Sequence, residues 1–182
     1  MSITTKAALQ AQELELREAV EFALQIAKKA GAEAEVGVTK VSGLSVSTRL
    51  MNTENIEFNN DGSLGISVYL GQRKGNASTS DLQPKSIQQA VESALGIAKY
   101  TSEDECAGLA DKDLMAFDAP DLDLYHEAQI SVDEAVEMAK TAEESALNVS
   151  ERIVNSEGAT FNSHSGVRVY GNTHGMLQSY LS

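Results

Sequence analysis

Near Gly31 the hydrophobic pattern changes from a helical repeat to strict alternation, and only folds that stack helices on a sheet accommodate both. Before it, Leu16, Val20, Ala23, Leu24 and Ala27 recur at i, i+4, i+7, i+8 and i+11, predicting an amphipathic helix over Leu9–Ala30. Gly31 supplies the left-handed position that closes it without a Cβ penalty. Beyond it, Val36 and Val38, then Leu44, Val46, Thr48 and Leu50, then Ile56 and Phe58, then Leu64, Ile66, Val68 and Leu70 alternate. These are period-2 strands with one buried face. Ser42-Gly43, Asn59-Asn60-Asp61-Gly62 and Gly71 to Gly75 read as the turns between them. Links this short force antiparallel neighbours, because a parallel pair needs a crossover of about a dozen residues.

Pro84 suits the first turn of a second helix, striped by Ile87, Val91, Ala94, Leu95 and Ala98 and weakened at Gly96 by about 1 kcal/mol relative to Ala. The acidic stretch Thr101–Ile130, with Pro120, reads as a long ordered loop. Ser131 and Glu134 then form a capping box that opens a third helix, buried through Val132, Ala135, Val136, Ala139 and Ala142. Strands return around Ile153, Phe161, Val167 and Val169. The fold class is therefore α+β, a mostly antiparallel sheet with about three helices packed on it. Gly65-Ile66-Ser67-Val68-Tyr69 echoes Gly166-Val167-Arg168-Val169-Tyr170, each leading to a second glycine, Gly75 or Gly175. A duplicated helix-plus-hairpin unit and a merely frequent strand composition both explain that echo.

Size and charge narrow the function classes. A chain of 182 residues can bury roughly 70% of its unfolded surface, so no metal or disulfide staple is needed. Fourteen Lys and Arg against 27 Asp and Glu leave a net charge of −13, with no more than two adjacent cations anywhere. Direct nucleic-acid binding, which needs a basic stripe, is disfavoured. The single cysteine, Cys106, rules out an internal disulfide framework. The first twenty residues hold neither a signal-peptide core nor a membrane span, so a cytoplasmic location is expected and the sequons at Asn76 and Asn148 carry no weight. The tail Gly166–Ser182 ends inside an alternating pattern, and a cut chain is the expected reason. Its strands are expected to be frayed, wrongly paired or borrowed by a neighbouring molecule.

Most candidate sites fail on spacing. His126-Glu127 would need a second His at position 130 or 131 to place two imidazoles on zinc, and Ile130 and Ser131 stand there. A calcium loop with Gly62 at its sixth position would need a bidentate carboxylate at its twelfth, where Val68 stands, so a turn is preferred. Glu103, Asp104 and Glu105 beside Cys106 disfavour a thiolate nucleophile. The acidic run Asp111, Asp113, Asp118, Asp121 and Asp123 reads as solvated loop charge. Residues 71–81, GQRKGNASTSD, lack the Lys-Ser/Thr end of a phosphate loop and read as a turn plus polar edge strand. Asn162, His164, Asn172, Thr173 and His174 gather imidazoles and amides near a sheet rim and are the candidate substrate or partner contacts. No catalytic or metal-binding residue is assigned.

GLSVSTR at 43–49, RKGNASTSDL at 73–82, YTSEDECAGLADKDLMAFDAPDLDLYH at 100–126, RIVNSEGA at 152–159 and GNTHGML at 171–177 together resemble the TldD/PmbA family, most closely its PmbA (TldE) branch. The resemblance runs in order from about Leu16 onward. It implies a bacterial metalloprotease complex acting on peptides or unfolded proteins, with zinc in a TldD-type catalytic subunit and none in the PmbA subunit. Family members are more than twice this length, and the zinc motif of TldD lies beyond the matched region, so no catalytic residue carries over. The implied role is the N-terminal part of the non-catalytic subunit. Residues 1–150 would form an α+β domain and 151–182 strands leading onward, with a TldD-type partner, or a homodimer when alone. The older name for the family, modulator of DNA gyrase, supports an alternative: a non-enzymatic acidic module that docks on gyrase. Gln83 stands where family members tend to carry a Ser helix cap, at a cost of about 1 kcal/mol.

Overall fold

The computed structural model describes residues 5–128 and 130–182. Met1–Thr4, within the stretch read for a leader, and Gln129, within the acidic loop, lie outside them. The elements run α1 (Lys6–Lys29), β1 (Glu33–Arg49), β2 (Asn52–Leu70), β3 (Arg73–Thr79), α2 (Pro84–Tyr100), a 3-10 turn at Lys112–Leu114, α3 (Val132–Leu147), β4 (Ala159–Asn172) and β5 (Leu177–Leu181). The strands form an antiparallel sheet in the order β3-β2-β1-β4-β5, so the class is α+β as expected. The chain divides into two compact units.

The larger unit holds Thr5–Lys40, Gly62–Tyr125 and Gly166–Ser182. Its core joins the stripe of α1 (Leu9, Leu16, Val20, Ala23, Ala27) and that of α2 (Ile87, Val91, Ala94, Ala98) to Val36, Val38, Leu64, Ile66, Val68, Val167 and Val169 of the strands. Each fully buried Val, Leu or Ile contributes about 1.5–3 kcal/mol. At the end of α1, Ala32 N–H bonds Ala27 O at 3.1 Å and Gly31 N–H bonds Lys28 O at 3.0 Å, with Gly31 at φ +74°. That is a Schellman closure. Gln83 makes no side-chain cap to α2. Asp81 takes over, accepting Gln83 N–H at 3.0 Å and the Ser86 hydroxyl at 2.6 Å. Those bonds, the Ser86 hydroxyl first, hold its carboxyl below the usual range.

The smaller unit holds Val41–Asp61 and His126–Ser165. Leu44 and Val46 pack on Ala135 of α3, with Ile130, Val132, Val136 and Phe161 around them. The capping box is present: Ser131 Oγ accepts Glu134 N–H at 3.2 Å, and the Glu134 carboxylate accepts Ser131 N–H at 2.8 Å.

Four expectations are corrected. Ser42-Gly43 and Asn59 to Gly62 are not turns; they lie inside β1 and β2. A Cβ at Gly43 would collide with Asn59 Oδ1, Ser163 O and the His164 ring, so this glycine marks a close approach rather than a bend. The real turn is Leu50-Met51, both at positive φ (+47° and +64°), the two-residue type I′ pattern that ordinarily calls for Asn-Gly. On α3, Ala142 is exposed and Glu143 takes the buried position. Ile153 lies in the loop before β4, not in a strand. The tail is paired within the chain: β5 runs against β4 from Val167↔Leu181 to Gly171↔Leu177.

Candidate functional site

In the larger unit, β4 ends at Asn172, which is 1% exposed. Its Oδ1 accepts the N–H groups of His174 (3.1 Å) and Met176 (3.3 Å), while Gly175 turns the chain at φ +97°. Thr173 bonds Ala34 of β1 in both directions: its N–H donates to Ala34 O at 2.9 Å and its hydroxyl accepts Ala34 N–H at 3.0 Å. His174 Nε2 stands 3.3 Å from Glu33 Oε1. The structure thus brings Asn172, Thr173 and His174 together, with their polar atoms largely committed to holding the turn. Asn162 and His164 belong to the smaller unit, exposed on β4. The five candidates do not form one constellation.

Beside this turn, Tyr69 of β2 and Tyr170 of β4 reach across β1 to one carboxylate. Tyr69 OH donates to Glu35 Oε1 at 2.9 Å and Tyr170 OH to Oε2 at 3.0 Å. Burial, then the Glu35 bond and charge, push the Tyr69 phenol up to about 12. Burial likewise raises that of Tyr170. The echoed strands therefore place their tyrosines symmetrically about Glu35, which the period alone did not single out.

A cleft of about 750 Å³ opens in the same unit, between the extended segment Ala119–Tyr125 and the strands β4 and β5. Lys6, Glu13, Arg168 and Tyr180 line it with Asp121 and Asp123. Ser179 Oγ donates to Glu13 at 2.5 Å and accepts from Arg17 at 2.7 Å, and the Arg168 guanidinium lies 5.9 Å from the Tyr180 ring. The Gln178 amide donates to Phe117 O and ties the segment to β5. Charges of both signs over aromatic and aliphatic surface suit binding of a polar, extended ligand.

The smaller unit contains a buried carboxylate that the helix stripe concealed. Glu143 is 2% exposed and accepts Leu50 N–H at 2.6 Å and Met51 N–H at 3.0 Å. Burial opposes its ionisation, yet the bonds from Met51, Ser156 and Leu50 prevail and its carboxyl titrates below the usual range. The signal was available: Glu143 lies four residues after Ala139, on the apolar face.

Cys106 is exposed in a loop turn, its N–H donating to Asp104 Oδ1 at 2.9 Å. His126 lies in a loop. Among the described residues no group of three or more His, Cys, Asp or Glu is placed to hold a metal, and no helix is long and apolar enough to cross a membrane.

Two successive family models match the chain: PmbA/TldA metallopeptidase domain 1 over residues 34–98 and the PmbA/TldA metallopeptidase central domain over 125–182. It is 71% identical over 97% of its length to a metalloprotease PmbA homolog of Haemophilus influenzae, and 57% identical over 96% to metalloprotease PmbA of Escherichia coli O157:H7. It spans 39% of the length of each of these two relatives. Among solved structures, a proposed modulator of DNA gyrase from Bacteroides thetaiotaomicron matches with TM-score 0.79 and 25% identity, over 99% of this chain and 40% of that one. TldE from Thermococcus kodakarensis shares the fold with TM-score 0.61 and 18% identity, over 92% of this chain and 36% of that one. With its first-domain and central-domain segments both matched in order, the chain belongs to the PmbA/TldD metallopeptidase family.

Proposed function

We propose that this chain is part of a PmbA/TldE-type, non-catalytic subunit that pairs with a zinc-bearing TldD-type subunit to cleave peptides or unfolded proteins. The observation that carries the reading is its 71% identity, along 97% of the chain, to a metalloprotease PmbA homolog. Its described residues do not fit a zinc site: His126 is followed by Glu127, but Ile130 and Ser131 fill both positions where a second imidazole would have to fall. No hydrolytic step is routed through this chain.

Its own residues supply a scaffold and a wall. The buried strands of the larger unit fix the cleft, the Asn172–Met176 turn fixes the end of β4, and Arg168, Tyr180 and Lys6 offer donors and stacking surface to a polypeptide. Zinc, expected in the partner, would polarise the scissile carbonyl and activate water there.

The experiment is co-expression of the full-length gene with its TldD-type partner, followed by affinity purification and a peptide-cleavage assay of each subunit and of the pair. Co-purification, with cleavage only by the pair, is expected. Cleavage by this subunit alone, or failure to associate, would overturn the proposal.

A further inference from the structure

The smaller unit leaves a sheet edge open. β3 pairs with β2 only from Leu64↔Thr79 to Leu70↔Arg73. In the sheet order β2 has β1 on its other side, so among the described residues 52–63 carry no partner strand on the β3 side. Every second residue of such a strand turns its N–H and C=O outward, unpaired.

Natural edges are protected by Lys, Pro, a covering loop or shortness. Among the described residues, none of these protects this edge. No Lys, Arg or Pro occurs between Arg49 and Arg73, and every residue from Asn52 to Phe58 is exposed. Ile56 and Phe58 are 44% and 48% exposed, two residues apart and so on one face, with Glu54 on that face and Glu57 on the other. Apolar side chains between carboxylates, beside free backbone donors and acceptors, are the elements of strand addition: main-chain bonds give affinity and alternate side chains give selectivity.

We propose that residues 52–61 of β2 form a docking edge for an extended segment of a partner polypeptide carrying Lys or Arg on either side of apolar residues. Charge selects that occupant. A second copy of this chain would bring an edge that is itself acidic, with Glu54, Glu57 and Asp61 and no Lys or Arg to answer them, and registers that set these carboxylates opposite one another destabilise a strand pair. A cationic strand meets them favourably and finds Ile56 and Phe58 as cross-strand neighbours. The inference rests on the open edge and its charges, and it holds whether or not the chain pairs with a TldD-type subunit.

The test is fluorescence anisotropy of the full chain with a labelled decapeptide of alternating Val and Thr flanked by Lys, compared with the same peptide N-methylated at alternate residues. Amide hydrogen exchange locates the contact. Binding of the unmodified peptide, its loss on N-methylation, and new protection confined to residues 52–61 are expected. The double variant Glu54→Lys, Glu57→Lys should weaken binding about tenfold at low salt, the scale of two reversed exposed charge pairs. Three results would each overturn the proposal: equal binding of the N-methylated peptide, protection on β5 instead of β2, or unchanged affinity in a folded charge-reversed variant. Dimerisation of the chain through this edge, seen by sedimentation with protection at 52–61 and no peptide present, would overturn the choice of occupant.

Discussion

Replacing Gly75 by Ala tests how closely β3 and α2 pack. A Cβ built at Gly75 would stand 2.0 Å from Ala94 O, 2.7 Å from Ala98 N and 3.0 Å from Ala94 C, all backbone atoms of α2. Real Cβ contacts essentially never fall below 3.0 Å, so strand and helix must separate there by about 1.0 Å, the difference between 3.0 and 2.0. No rotamer change can relieve the clash, because a helical carbonyl and the N–H four residues on are fixed by the helix itself. Ile87, Val91 and Ala98 would all lose packing against the sheet. The cost belongs at the upper end of overpacking, about 3 kcal/mol. For a chain of this size that corresponds to a fall in Tm of about 6–12 °C. Gly96→Ala is the control, since nothing lies within 4 Å of its added Cβ. It should stabilise α2 by about 1 kcal/mol. Urea unfolding followed by circular dichroism reads both. A Gly75→Ala midpoint within about 0.5 kcal/mol of the parent, the size of an ordinary surface substitution, would refute the packing argument. So would an equal loss from Gly96→Ala.

Three further outcomes follow from the same geometry. Glu143→Gln should lower the urea midpoint at neutral pH. Because the folded carboxyl titrates below its unfolded value, its stabilising effect is full above the unfolded pKa and lost as pH falls through the folded one. The gap between parent and variant should therefore close in acid, and a pH-independent gap would contradict the role assigned to Glu143. Exchanging Leu50-Met51 for Asn-Gly should relieve left-handed strain and raise stability by about 2 kcal/mol, read by thermal unfolding; destabilisation would show that the turn is not type I′ in solution. Ultraviolet absorbance titration, with Tyr69→Phe to identify the signal, should place the Tyr69 phenol at about 12 and move it down in Glu35→Gln. An unmoved titration would separate Tyr69 from Glu35.

Legibility of the site differed from legibility of the elements. Asn172, Thr173 and His174 were visible as amides, hydroxyl and imidazole at a strand end, and they do meet, but largely to hold a turn. The echo of two Gly-x-x-Val-Tyr strands contained Tyr69 and Tyr170 but gave them no role, and their common acceptor, Glu35, carries no local signal. The two glycines that extended the echo serve different ends: Gly75 admits a helix backbone and Gly175 supplies a left-handed turn.

What the amino-acid order determined by itself was whatever depends on neighbours in the chain. The helical stripe of Leu16 to Ala27, the Gly31 closure, the Ser131–Glu134 capping box and the alternation of Leu64 to Leu70 are local, because each needs only contacts within a few residues or one continuous buried face. The tertiary structure decided the rest. Gly43 and Gly62 read as turn residues, yet the turn fell on Leu50-Met51, where a carboxylate 93 residues away in sequence takes up the Leu50 N–H. Backbone conformation there is set by a long-range hydrogen bond and not by propensity, so no window of sequence around residue 50 could have contained it. The open edge of β2 is likewise a property of strand order. It exists because β3 is seven residues long and β2 nineteen, and only their register shows which part of the longer strand is left unpaired.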